Sequence, residues 1–327
     1  MINKTPNISQ QLNKEDTFRI LESKYSTLGP IWVSHQIEWC NGVYAAFKDH
    51  DKFLIIIFIL NKTLENYSNN LIKLTYDEYF SNNTIEIERF NISEISSKLN
   101  IPKESARRKV MELENDGVIK RINKKIIIDR SCFNFSTPKN SIKRVSTFLS
   151  TLLTICKDER IILQKVTSEE LELTIKANFT NIWNFYYELQ IPMMTNYKKI
   201  FKDFGTFHIY GACVVNQHFD ARKLSKAPAD RDNFLKSFFT NEKRQGVNAM
   251  SISEITGIPR ATAIRKLQKL IKLGILSIDK KKHYRLKGNF ISILKPIQKD
   301  NLFRLANFSA KVYNIAVLDK EHKVKKK

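Results

Sequence analysis

Glycine is scarce in this chain, with nine residues in 327. That argues against Gly-rich nucleotide-binding turns and for a mainly helical fold. Cysteine is scarcer still. Cys40, Cys132, Cys156 and Cys213 are scattered, with no CxxC. Neither a disulfide framework nor a zinc site is expected, and the thiols read as reduced, in a cytosolic protein. Long apolar runs are missing. "FLIIIFIL", Phe53–Leu60, is far short of the roughly 20 residues that span a bilayer, so it reads as a buried helix and no membrane is expected. "MINKTPNISQQLNKE" has no apolar signal core and reads as a loose arm. The six histidines are dispersed, and there is no nucleophile elbow, P-loop or HExxH. Asp77-Glu78 and Glu169-Glu170 read as solvated helix faces. The chain is therefore not expected to be an enzyme, nor to need a cofactor or metal. Acid is the last shortage: 33 Asp and Glu face 55 Lys and Arg, a net charge of +22.

That excess is the electrostatic footprint of a nucleic-acid binder. A+T-rich codon usage, visible in abundant Lys, Asn, Ile and Phe, contributes to it, so the placement of charge decides more than its sum. With 42% hydrophobic residues, 21 Phe and 11 Tyr, the chain can bury two cores, or one core built twice.

Two stretches put proline in the same setting. "NIPKESARRKV" (Asn100–Val110) and "GIPRATAIRKL" (Gly257–Leu267) both carry Ile-Pro-basic, in a chain with eight prolines. A shift of 157 residues aligns their surroundings without a gap. It pairs Asn91/Asn248, Ile95/Ile252, Ile101/Ile258, Pro102/Pro259, Ala106/Ala263, Arg108/Arg265, Lys109/Lys266, Leu113/Leu270 and Gly117/Gly274, with Ser105 opposite Thr262. Farther out, "YAAFKDHDKFLII" (Tyr44–Ile56) resembles "YKKIFKDFGTFHIY" (Tyr197–Tyr210). "PKNSIKRVSTFLSTLLTI" (Pro138–Ile155) resembles "PIQKDNLFRLANFSAKVYNI" (Pro296–Ile315), each expected as an amphipathic helix after a proline. The resulting plan is an arm and helix over 1–29 and a first repeat over 30–156. A Pro- and Gly-free linker follows over 157–180, expected as helix or strand. A second repeat covers 181–318, and a basic tail, ending in "HKVKKK", covers 319–327.

Within each repeat, Asn91 or Asn248 is placed to cap a short helix, with Glu94 completing an approximate capping box. Asn100 or Gly257 suits a left-handed helix exit. Apolar spacing at Ala106-Val110-Leu113, and at Ala263-Leu267-Leu270, predicts a second helix with one buried stripe. Gly117 or Gly274 ends it, and "VIKRI-NKK-IIID" or "ILSID-KKK-HYRLK" reads as a hairpin. The helix-turn-helix is thus expected at 91–117 and 248–274, with hairpins at 118–130 and 275–287. "GIPRATAIRKLQKLIKLGIL" resembles the core of bacterial winged helix-turn-helix transcriptional regulators of the MarR, GntR and IclR group. The first copy departs from their pattern at Asn100 and Ser105. The match covers about 40 residues per copy.

The expected fold is thus mainly α with small β-hairpin wings: a duplicated winged helix-turn-helix, a single-chain pseudo-dimer. The resemblance implies a cytoplasmic, nucleoid-associated regulator that reads double-stranded DNA as an imperfect palindrome. Its second helices would enter the major groove. Glu104, Ser105, Arg107 and Arg108 would then face bases and phosphates, as would Ala261, Thr262, Ile264 and Arg265, with Lys103 and Arg260 at the helix entries. Wing residues Arg121, Lys124, Lys125, Lys280, Lys281, Lys282 and His283 would grip backbone. The chain is expected to act as a monomeric pseudo-dimer or a weak homodimer. A small-molecule effector is a further partner the resemblance allows, among Trp183, Phe185, Tyr186, Tyr187, Tyr197, Phe201, Phe204 and Phe207. The spacing of those aromatics, like that of Trp32 and Trp39, reads first as core. Two alternatives remain open: a plasmid- or phage-type replication initiator with tandem winged helices, and a structural winged-helix subunit of a protein complex.

Overall fold

The computed structural model describes residues 11–134, 136–224, 229–240 and 246–324. The fold is mainly helical, with two small antiparallel sheets. The first half runs α1 (Lys14–Ser23), α2 (Tyr25–Phe47), α3 (His50–Asn69), α4 (Tyr76–Tyr79), β1 (Thr84–Ile87), α5 (Ile92–Leu99), α6 (Lys103–Asn115), β2 (Ile119–Ile122), β3 (Lys125–Asp129) and α7 (Lys139–Asp158). The second runs α8 (Ser168–Ala177), α9 (Phe179–Phe201), α10 (Phe204–Leu224), α11 (Arg231–Thr240), α12 (Ala249–Thr256), α13 (Arg260–Lys272), β4 (Leu276–Ile278), β5 (Tyr284–Leu286) and α14 (Ile291–Val324). Strand order is β1-β3-β2 in one sheet and β4-β5 in the other. A single Val247–Tyr284 bridge stands where β1 stands in the first.

Local chemistry explains why these elements recur. α8, α9 and α10 each start 154 residues after α1, α2 and α3. Asn13 caps α1 by accepting from the Asp16 amide, and Thr167 caps α8 by accepting from Glu170. α2 and α9 are both 23 residues long and end at a left-handed lysine, Lys48 or Lys202. Asp49 then accepts amide hydrogens at the start of α3, and Asp203 accepts from the Thr206 amide at the start of α10.

Packing is reciprocal between the halves. α1 lies on α14 as α8 lies on α7, and α3 lies on α9 as α10 lies on α2. α5 and α6 rest on α3 as α12 and α13 rest on α10. One continuous apolar cluster runs through both halves, from Leu12 and Leu21 through Ile55 and Phe148 to Tyr186 and Tyr313. "FLIIIFIL" lies within α3, with Leu54 through Ile57 buried. No helix among the described residues is long and apolar enough to cross a membrane.

Several expectations are corrected here. Residues 157–180 do hold a helix, α8, but it buries Leu171 and Ile175 and by position is the second half's α1, so the second half starts upstream of 181. The boundaries at 29/30 and 318/319 fall inside α2 and α14. The repeated pattern begins upstream of its best-matching stretch, at α1 and α8, and α14 continues past 318. The expected loose arm is docked from Leu12 onward, where the Leu12 amide donates to Asn314 Oδ1 at 2.8 Å. Its first ten residues lie outside the described set, as do the last three of the basic tail. Pro296 does not precede its helix but lies inside α14. Glu78 and Glu170 close capping boxes with Thr75 and Thr167, while Asp77 and Glu169 stand exposed in the same first turns, on the solvated faces expected.

Gly274 has φ +73°, and an added Cβ there would meet nothing within 4 Å. Gly274→Ala is therefore expected to cost backbone strain alone, about 1 kcal/mol by denaturant titration. Asn100, at φ 51°, carries the opposite expectation, and Asn100→Gly should stabilise slightly.

Candidate nucleic-acid interface

Each half builds the same projecting unit from matched bonds. Asn91 Oδ1 accepts from the Glu94 amide, and Asn248 Oδ1 from the Ser251 amide. The reciprocal half of a capping box is absent at Asn91, because the Glu94 carboxylate is taken by Lys62 at 2.8 Å. Asn100 and Gly257 make the left-handed exits. The turn is locked where Ser96 Oγ donates to the Ile101 carbonyl, and Ser253 Oγ to Ile258, both at 2.7 Å. Pro102 and Pro259 hold nearly identical extended backbone ahead of two 13-residue helices, α6 and α13. Ala106, Val110 and Leu113, or Ala263, Leu267 and Leu270, form the buried stripe.

A lysine anchors each second helix to the bundle. Lys109 on α6 pairs with Asp49, and Lys266 on α13 pairs with Asp203, which Lys269 also reaches at 2.7 Å. Burial alone would raise the Asp203 pKa. Hydrogen bonds from Lys266, Lys269 and Thr206 outweigh it and hold the carboxyl well below its usual range. These contacts explain why Lys109/Lys266 is an identical pair.

The expected site residues fall on the outer face of each unit. Lys103, Glu104, Arg107 and Arg108 on α6 are exposed and Ser105 is half-buried. On α13, Arg260, Ala261 and Arg265 are exposed, with Thr262 and Ile264 half-buried. Lys124 and Lys125 lie at the β2–β3 turn, where Asn123 and Lys124 both take positive φ, as two-residue hairpin turns require. The β4–β5 tip presents Lys280, Lys281 and Lys282, all exposed, while His283 is half-buried. Asp279 folds this tip by accepting from the Lys281 and His283 amides at 2.9 Å. Those bonds lower its pKa, the His283 amide contributing most.

The two faces differ in charge pairing. In the first unit Arg121 is bound to Glu114 and Lys125 to Glu86, both at 2.8 Å. Arg107 and Arg108 stand 3.8 and 3.7 Å from Glu104 and Glu112. In the second, Arg260, Arg265, Lys280, Lys281 and Lys282 have no acidic partner among the described residues. Over residues 91–130 there are ten basic and six acidic residues, and over 248–287 ten basic and two acidic. The first unit thus neutralises much of its own charge, whereas the second presents it to solvent.

Residues that the sequence reading left out join this surface. Gln268 and Lys272 continue the Arg265 face of α13 at helical spacing, and Arg285 stands exposed on β5. The i+3, i+7 spacing from Arg265 was the signal that could have found the first two.

The hairpin of the first unit is pinned by a carboxylate. Asp129 accepts from Lys120 Nζ at 2.6 Å and from Ser131 Oγ and its amide. Led by the Lys120 bond, these lower its pKa to about 2. A depressed folded pKa means this stabilisation is complete above the unfolded value near 3.9 and is lost as pH falls toward 2. Amide exchange in β2 and β3 is expected to rise over that window, and Asp129→Asn should remove the dependence.

Among the described residues no group of three or more His, Cys, Asp or Glu could hold a metal ion. No family model, curated protein or solved structure matches the chain.

Proposed function

We propose that the chain is a sequence-specific double-stranded DNA-binding protein of the transcriptional-regulator type. In this reading it is a duplicated winged helix-turn-helix folded as a single-chain pseudo-dimer. The observation that carries it is the cluster Arg260, Arg265, Lys280, Lys281 and Lys282. All five are exposed on one helix and one hairpin tip and lack acidic partners among the described residues. A helix with outward arginine matches the width of the major groove, and an adjacent lysine-tipped hairpin matches phosphate. A protein-docking face would be expected to carry apolar or acidic residues at these positions instead.

The reciprocal packing supports the pseudo-dimer. α1 on α14 and α8 on α7 make an isologous contact within one chain, the arrangement that a two-fold homodimer makes between chains. A pseudo-dimer with unlike heads reads unlike half-sites. Arg107 is replaced by Ile264 and Glu104 by Ala261, so the second head favours thymine methyl contact where the first offers polar readout.

The experiment is selection of bound duplexes from a random pool, followed by titration of Arg265→Ala on the selected site. The variant is expected to lose about 1–3 kcal/mol and relax base preference at one position. Uniform weakening across all sequences would place Arg265 on phosphate and remove it from base readout.

A further inference from the structure

Among the described residues the chain buries three cations, Arg130, Lys198 and Arg231. Lys198 pairs with Asp51 at 2.8 Å, and Arg231 reaches Glu22 at 3.4 Å. Arg130, 6% exposed, has no carboxylate partner among the described residues, and its neighbour Asp129 is taken by Lys120 and Ser131. Every contact Arg130 does make is with a neutral group. Nη1 donates to the Tyr79 carbonyl at 2.8 Å and, more weakly, to that of Asn82 at 3.4 Å. The guanidinium lies 4.3 Å from the centre of the Tyr79 ring and 4.6 Å from that of Phe80, with the Tyr79 hydroxyl beside it. These contacts hold the group and soften its desolvation without neutralising it. Nη2 is buried without a hydrogen-bond partner. Arginine keeps its charge in proteins, and a buried charge is normally matched by an opposite one.

Arg130 lines a void of about 40 Å³ between α2, α3, α4, α7 and α9. The start of α7 lines it too, through Pro138 and Ser141. No side chain caps this 20-residue helix, and no acidic residue stands in its first turn. In contrast, α1, α4 and α8 each begin with a side-chain cap. An uncapped helix start keeps its partial positive charge and its free amides. Ser141 Oγ, in that turn, is fully buried and has no hydrogen-bond partner. No Asp, Glu or Lys lines the void. A guanidinium, a helix start and a hydroxyl thus border one space that supplies them no acceptor charge. One water needs about 10–15 Å³ of such space, so this void takes an ion little larger than water and no ring. The second half has no equivalent, because the 157-residue shift puts the exposed Lys287 at the Arg130 position.

We infer that Arg130, Ser141 and the first turn of α7 hold one small monovalent anion of about chloride size. The ion ties the foot of the first hairpin, where the Arg130 amide bonds the Asn83 carbonyl, to the helical bundle. The inference stands whether or not the chain binds DNA. Its test exchanges sodium gluconate for sodium chloride around the full chain at fixed ionic strength, gluconate being too large for the void. Melting temperature is the first readout and chloride NMR line width the second. The wild type is expected to melt higher as chloride rises, along a saturating one-site curve. Ser141→Ala is expected to melt as wild type does in gluconate, since its hydroxyl has no partner to lose. It should need about tenfold more chloride for half-saturation, the worth of one hydrogen bond to a charged group. Arg130→Gln is expected to abolish the saturating rise; if it does not fold, Ser141→Ala carries the test alone. Equal melting of wild type in the two salts, a rise that never saturates, or an unchanged half-saturation in Ser141→Ala would each overturn the site.

Discussion

Replacing Lys280, Lys281 and Lys282 together by alanine is expected to lower duplex DNA affinity about 100-fold at 0.15 M salt. Each lysine that neutralises a phosphate releases about 0.9 of a counterion, worth about 1 kcal/mol at that salt. These three ammonium groups are exposed on a tip that Asp279 shapes, and none is tied to a carboxylate among the described residues. They bring nearly their full charge to the phosphates. The log–log salt slope should fall by about 2.7 in the triple variant. Removing the two paired cations of the first head, by Arg121→Ala with Lys125→Ala, is expected to cost much less per cation. There each cation must first leave Glu114 or Glu86, so its net gain on phosphate is smaller. Equal losses per cation from the two heads would contradict the unequal charge pairing.

Leu171→Ala in α8 should destabilise the whole chain by about 2–5 kcal/mol, the range for a fully buried leucine that leaves a cavity. The informative part is where the loss is felt. α8 belongs to the second half by sequence but packs on α7 of the first, and α1 packs reciprocally on α14. Damage to one contact therefore reaches both halves. Trp32 and Trp39 report on the first half and Trp183 on the second. Each kept as the sole tryptophan, with the other two changed to phenylalanine, should report the same denaturation midpoint. The variant should move that midpoint for all three together. Separate midpoints would mean that the halves are independent domains.

Much of this architecture was legible in the chain. Asn91, Asn248, Gly257, Gly117 and Gly274 mark helix ends by local backbone chemistry, and the structure places each at such an end. The buried stripes were legible because 3.6-residue periodicity is a local signal. The extent of the repeat was harder to read. α1 and α8 share length, spacing and a polar cap but almost no identities, since Asn and Thr cap equally well and many apolar residues fill the same groove. Pairing across the chain was not readable at all. Lys109 with Asp49 and Lys266 with Asp203 are set by tertiary approach, as are the glutamates that quiet the first head. Which side of each helix faces outward is legible because the inward stripe fixes the side that remains; Arg107, Arg108 and Arg265 are exposed there, and Ser105, Thr262 and Ile264 half-buried.

The most direct test is hydroxyl-radical footprinting on a duplex selected from a random pool, with wild type beside Arg265→Ala. Two protected segments about one helical turn apart on one face of the duplex are expected, the segment under the second head being the stronger. Arg265→Ala should thin that segment and spare the other. A single protected segment in wild type, or no protection at any salt concentration, would contradict a two-headed reader of DNA.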